Sequence, residues 1–181
     1  MRIIKSTLPA HSILKQAEQS CHYIDSFEGV FADPNVAISS TDIGRAFFMS
    51  APKWIDGLFA LRNKLVRLIG LKTPGNMSGR KQQLNDFKCE PGERLGLFKV
   101  FHKTNNEVVL GENGRHLDFR VSLYLDQPMD DSQKKKLTIS TTVKFNHWFG
   151  RLYFLPVRPF HRMIVPAMLK GMIKHIETKE N

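Results

Sequence analysis

The spacing of hydrophobic and polar positions changes twice along the chain. Residues 21–31 carry aromatic side chains among polar ones, which predicts a β-strand. Residues 39–50 and 52–70 follow with helical spacing, and serine, threonine or proline stands where each helix would begin. The polar, glycine-containing residues 72–93 predict a long loop, and residues 1–19 are expected to form a loosely held leader.

Beyond this loop the apolar positions alternate with polar ones. Residues 94–103, 107–126 and 137–147 read as strands, and Glu112-Asn113-Gly114 is typical of a tight hairpin turn. In residues 137–147 the leucine, isoleucine, valine and phenylalanine side chains fall on one face, and threonine, serine and lysine fall on the other. This alternation predicts an antiparallel sheet with one buried face and one wet face.

Near the end of the chain the spacing becomes helical again. Apolar residues in the segment 160–176 recur every three or four positions, and three of them are methionines. Pro156 and Pro159 each disfavour a helical residue before them, and Pro159 suits the first turn of a helix. We therefore expect one long helix from about this point, bent at Pro166 and packed across the apolar face of the sheet.

The order of elements predicts a single α+β domain spanning residues 1–181. A strand, two helices, antiparallel hairpins and a long C-terminal helix together resemble the helix-grip fold of the START lipid-transfer domains, polyketide cyclases and birch-pollen allergen. The stretches YIDSF (23–27), PKWIDGLFALRNKLVRLIGLK (52–72) and FGRLYFLPVRPFHRMIV (149–165) resemble an uncharacterised, mainly bacterial family of that superfamily. The resemblance implies an antiparallel sheet wrapped around the terminal helix. It brings no established reaction, and no cofactor is expected.

The resemblance also implies an apolar cavity between the sheet and the terminal helix. The residues that would line it come from the second helix, the central strands and the terminal helix: Trp54, Leu58, Leu61, Phe119, Val121, Leu123, Ile139, Val143, Phe160, Met163, Ile164, Met168 and Met172. Methionine adapts to irregular ligands, but it also fills ordinary cores. Composition alone does not distinguish a pocket from a packed core at these positions.

Charge adds a second theme. The chain has 27 Lys+Arg against 17 Asp+Glu, a formal net charge of +10, which favours an anionic partner. The basic residues are spread over several elements, so solvated surface is the simplest interpretation, peripheral contact with anionic lipid comes next, and nucleic acid is not expected. Two isolated cysteines, no signal-peptide pattern and no long uncharged apolar stretch predict a cytoplasmic protein.

Candidate chemistry concentrates in the terminal helix. The pair His161-Arg162 could supply an acid–base group and a cation for a carboxylate or phosphate, and Tyr153 could add a hydroxyl. The alternative is that these residues tie the edge of the helix to its surroundings. None of the seven histidines stands in a metal-binding spacing such as HExxH, so no metal site is expected.

Three functions fit these observations. The first is a non-enzymatic binder or carrier of a small hydrophobic or amphipathic molecule in the implied cavity. The second is a cyclase- or hydrolase-like enzyme that uses the same cavity, and the third is a domain that docks to a partner or a membrane. Facing buried ionisable side chains would favour the enzyme, an aliphatic tunnel the carrier, and a filled core the docking domain.

Overall fold

The computed structural model describes residues 1–32, 38–50, 83–84, 86–126 and 134–179. Seven strands in these ranges form one antiparallel sheet. The strands are β1 (Ile3–Ser6), β2 (Tyr23–Ala32), β3 (Arg94–Leu95), β4 (Phe98–Lys103), β5 (Glu107–Asn113), β6 (Leu117–Asp126) and β7 (Lys134–Phe145). The described helices are a 3-10 helix (Ile13–Ser20), α1 (Ser40–Met49) and α2 (Trp148–Lys179). The predicted second helix, residues 52–70, lies outside the described residues.

The sheet order is β1-β2-β7-β6-β5-β4-β3, and every neighbouring pair is antiparallel. The first long strand therefore pairs with the last one, with Tyr23 opposite Val143 and Phe27 opposite Ile139. This register puts alternate residues of β2 and β7 on the face that α2 covers. The predicted α+β, helix-grip-like fold is confirmed.

Two helices share one face of the sheet. The long helix α2 lies against β1, β2 and β7, while α1 lies against β5 and β6 and touches α2 beside it. We expected α2 to pack across β6 as well as β7, but α1 is the helix that packs against β5 and β6. The residues sealed between the layers include Val108, Leu110, Leu123, Ile139, Leu169, Met172 and Ile173.

Helix α1 is fixed at both ends. At its start the Ser39 hydroxyl accepts from the Asp42 amide, and the Asp42 carboxylate accepts from the Ser39 amide, a reciprocal capping box. At its end Ser50 lies against Gly171 of α2, where an added Cβ would be 2.5 Å from the Ser50 carbonyl oxygen. Glycine at this position lets the two helices approach closely.

Helix α2 begins eleven residues earlier than the predicted start at Pro159. It runs from Trp148 through Pro156, Pro159 and Pro166, although each proline removes one backbone donor. Phe154, in the first part of the helix, is buried against the sheet. Packing of this kind overrides local propensity, which is why the prolines misled the prediction. A bend at Pro166 stays a prediction.

The first nineteen residues are more structured than expected. Strand β1 pairs with β2, and the 3-10 helix is fastened to the sheet by the buried carboxylate of Glu107. That carboxylate accepts from the Ser12 hydroxyl at 2.6 Å, the Ser122 hydroxyl at 2.5 Å and the Ile13 amide at 2.9 Å. These bonds join residues that are far apart along the chain, so no local pattern in residues 1–19 predicts them.

The second face of the sheet is also covered at its centre. Thr138, Ser140 and Thr142, which we expected to be wet, are buried. Next to them Leu8 and Leu14 pack with Val109 in a small hydrophobic cluster beneath the N-terminal residues. The prediction of one wet face is therefore wrong in this central region, because the N-terminal segment supplies a second cover.

Candidate functional site

A pocket of about 540 Å³ lies where β1, β2 and the first half of α2 meet. Three basic side chains stand at its wall: Lys5 from β1, and Arg158 and Arg162 from α2. All three residues are exposed. The remaining lining residues come from β2 and the residue before it: His22, Tyr23, Ile24, Asp25 and Phe27.

The side chain of Asp25 is the centre of a polar network at this pocket. Its Oδ2 accepts from the Tyr23 hydroxyl at 2.5 Å and lies 3.1 Å from Nδ1 of His161. Only 5% of the Asp25 side chain is exposed. The other oxygen, Oδ1, is buried and has no hydrogen-bond partner among the described residues. A buried carboxylate of this kind is unusual unless partners or function require it.

The alternation of β2 explains how the network forms. Tyr23, Asp25 and Phe27 are every second residue, so they project toward α2 while Ser26 projects to the other face. The ring of Tyr23 packs edge-on against Phe154 of α2, with centroids 4.8 Å apart. One turn later, Arg158 lies over the same ring at 5.5 Å from its centre.

These surroundings raise the pKa of Tyr23 to about 12. Burial of the phenol is the main cause, and the hydrogen bond to the negatively charged Asp25 adds to it. A hydrogen bond and the positive charge of Arg162 act in the opposite direction. At neutral pH the Tyr23 phenol is therefore protonated and donates its hydrogen bond to Asp25.

The arrangement has two chemical capacities. Arg158 and Arg162 are one helical turn apart, so both guanidinium groups can address one carboxylate or phosphate. His161 can donate its Nδ1 proton to Asp25, which leaves Nε2 as a proton acceptor in the neutral ring. The first capacity is binding of an anion, and the second is acid–base chemistry.

The residues predicted to line an apolar cavity divide into four groups. Trp54, Leu58 and Leu61 lie outside the described residues. Those sealed in the interior are Val121, Leu123, Ile139, Val143 and Met172. The half-buried ones are Phe119, Ile164 and Met168. Phe160 and Met163 are exposed. Phe154, His161 and Val165 define the inward side of α2, so Phe160 and Met163 lie on its outer side. The apolar cavity stays a prediction.

The predicted polar residues have different placements. His161 and Arg162 meet at the Tyr23–Asp25 network, whereas Tyr153 is half-buried and is not among the residues lining the pocket. Sequence reasoning missed Tyr23 and Asp25 as site residues. The available signal was an aspartate at an inward position between two aromatic residues of a predicted strand.

Other chemistry finds less support in the described part of the chain. Within it, no group of three or more histidine, cysteine, aspartate or glutamate residues could hold a metal ion. Burial raises the pKa of the Cys89 thiol to about 12, which leaves it almost wholly protonated and unreactive. No helix of the described ranges combines the length and apolar character needed to cross a membrane.

Comparison with known proteins gives one match. A family model described as "Protein of unknown function (DUF2867)" matches residues 18–168. These residues include β2, α1, the whole run of strands that follows and the part of α2 that carries His161 and Arg162. No curated protein and no solved structure matches the chain.

Proposed function

This chain belongs to the DUF2867 family, whose function is unknown, and we propose that it binds a small amphipathic molecule through an acidic group. The observation that carries the proposal is the convergence of Lys5, Arg158 and Arg162 on one pocket beneath α2. The residues that line this pocket do not include any of those predicted to line an apolar cavity, so the pocket supports the proposal through its charge. The proposed ligand is thus amphipathic, with an anionic head.

The balance of charge supports an anionic ligand. Among the lining residues, three basic side chains face one carboxylate, and Oδ2 of that carboxylate, Asp25, is already engaged by Tyr23 and His161. Guanidinium groups match the planar geometry of carboxylate and phosphate oxygens, and each such bond is stronger than a neutral one. The three exposed basic groups outnumber the one buried carboxylate, so they are the part of the pocket that suits an anionic ligand.

The apolar lining supports an amphipathic ligand. Phe27, on the same face of β2 as Tyr23 and Asp25, stands beside the basic groups, so a short hydrocarbon portion would find an apolar partner there. The volume, about 540 Å³, falls within the roughly 300–1,000 Å³ typical of small-molecule sites. A molecule with an acidic head and a modest apolar body fits this combination.

Calorimetry with matched ligands tests the proposal. Decanoate and decyl phosphate should bind, whereas decanol, which has the same chain without the charge, should bind at least roughly tenfold more weakly. Arg158→Gln should weaken decanoate binding, and Lys170→Gln, an exposed basic residue of α2 outside the pocket, should leave it unchanged. Equal binding of decanol, or equal effects of the two variants, would refute an anionic site. Native mass spectrometry of the purified protein would identify a bound natural molecule.

A second candidate function is acid–base catalysis on the bound molecule. The buried Asp25 beside His161 Nδ1 favours it, because this pairing fixes the ring and its tautomer. In that case His161→Gln should retain the natural ligand found by mass spectrometry but stop its conversion. An unchanged ligand after long incubation with the wild type would exclude catalysis on that molecule.

We also propose that the family is a branch of the helix-grip superfamily. The support is the pairing of the first long strand with the last, beside a terminal helix that packs on both. An experimental structure that separates β2 from β7, or moves α2 off them, would remove this support.

A further inference from the structure

Helix α2 carries an exposed apolar stripe on the side away from the sheet. Its members are Trp148, Leu152, Leu155, Phe160 and Met163, whose exposed fractions range from 42% to 76%. Trp148, Leu152, Leu155 and Met163 follow the spacing of one helical face, and Phe160 widens it. We call these five residues the outer stripe. Apolar side chains at helical spacing that remain open to solvent commonly mark an interaction surface.

Within helix α2, the formal charges near the outer stripe have one sign. From residue 148 to residue 176 the sequence contains no aspartate or glutamate, and the first acidic residue is Glu177. Arg151, Arg158 and Arg162 are exposed and follow one another at helical spacing along one border of the stripe. The surface is therefore apolar in its middle and cationic at its edge.

We infer that the outer stripe docks on an anionic lipid bilayer, with α2 lying along the head-group region. A helix with an exposed apolar face bordered by arginines is suited to the head-group region of a bilayer. Its apolar side chains enter the boundary of the acyl chains while the guanidinium groups contact lipid phosphates. Trp148, the most exposed of the five residues, is of the type that accumulates at membrane interfaces. The formal net charge of +10 adds long-range attraction to the same surface.

Vesicle sedimentation tests this docking. The full chain should bind vesicles of phosphatidylcholine containing about 30% phosphatidylserine, bind pure phosphatidylcholine far less, and detach steeply between about 50 and about 300 mM salt. In a Trp54→Phe background Trp148 is the only tryptophan, and its emission should shift to the blue on binding. Absence of binding, or binding of equal strength to both vesicles, would overturn the inference.

Variants of the outer stripe distinguish membrane docking from ligand binding in the pocket. The double variant Trp148→Ser/Leu155→Ser should lose at least about tenfold in vesicle affinity, because it removes two large groups from the lipid-facing side. Met49→Ser, at an exposed apolar residue of α1, should have no effect. Decanoate binding should survive the double variant, so a failure here is distinct from a failure of the proposed pocket.

Two results would assign the stripe to another occupant and overturn the inference. A marked fall in thermal stability of Trp148→Ser, without specific loss of vesicle binding, would show that the stripe packs within the protein. A wild-type dimer in light scattering that the double variant dissociates would show that a second copy covers it.

Discussion

The two halves of helix α2 use the same sheet in opposite ways. In the second half, Leu169, Met172 and Ile173 are fully buried on the inner side, while Lys170 and Lys174 face solvent. In the first half the inner side meets a polar network, and the outer side is apolar and exposed. The second half has the ordinary amphipathic pattern of a helix that covers a core, whereas the first half departs from it on both sides.

This difference separates stability from function along a single helix. Burying one leucine side chain contributes about 1.5–3 kcal/mol, so the three sealed residues fix the second half strongly in the core. In the first half, a hydrogen bond to a charged group such as the Asp25 carboxylate contributes a net of about 1.5–3 kcal/mol, and the buried Phe154 adds apolar packing. The first half is therefore held by a mixture of polar and apolar contacts, and it is the half that carries the pocket and the outer stripe.

The largest expected effect comes from one leucine in each half. Leu169→Ala should lower the free energy of unfolding by about 2–5 kcal/mol, because it leaves a cavity in a sealed core. Leu155→Ala, the same change at a residue that is 68% exposed, should stay within about 0.5 kcal/mol of the wild type. Urea unfolding followed by circular dichroism measures both. Equal losses at the two positions would abolish the distinction between the halves.

The polar anchor of the first half should have a smaller effect. Asp25→Ala removes the acceptor of the Tyr23 hydroxyl and of His161 Nδ1, which should cost about 1–3 kcal/mol. Asp126→Ala, which breaks only an exposed ion pair to Lys136, should cost about 0–1 kcal/mol. Urea unfolding followed by circular dichroism measures the loss of stability in both variants.

A different outcome for Asp25 would sharpen the comparison. Its Oδ1 is buried without a partner in the described part of the chain, which offsets part of what the network contributes. An Asp25→Ala protein as stable as the wild type would contradict the expected loss. It would indicate that the carboxylate is retained for binding or catalysis, since buried charges are not in general a source of net stability.

Much of the fold could be predicted from the sequence because its signals are local. Alternation in residues 117–126 and 137–145, together with turn residues around Gly114, is enough to indicate antiparallel hairpins. The pairing of the N-terminal segment was not predictable in the same way. It depends on Glu107 binding Ser12 across 95 positions of sequence, and no local pattern reports such a bond.

Only part of the candidate site could be predicted from the sequence, for the same reason. His161 and Arg162 stood out because an acid–base side chain and a cation are adjacent at the start of the apolar segment 160–176. Asp25, the partner of His161, lies 136 positions away from it, and in sequence it reads as one polar residue in an alternating strand. The register that brings the three residues together is set by the pairing of the first long strand with the last, which only the folded chain displays.

The smallest effect concerns pH and the first half of α2 alone. The pKa of Tyr23 is raised from 10.0 to about 12 in the folded protein, so folding favours the protonated phenol. Its contribution is therefore fully present below about pH 10 and is lost as the pH rises toward about 12. The stability advantage of the wild type over Tyr23→Phe, measured by urea midpoints, should shrink between about pH 8 and about pH 11. Absorbance at about 295 nm, which follows phenol ionisation, should show the highest-titrating component disappear in Tyr23→Phe. An advantage that stays constant over this range would mean that Tyr23 titrates normally and that Asp25 and burial do not hold its proton.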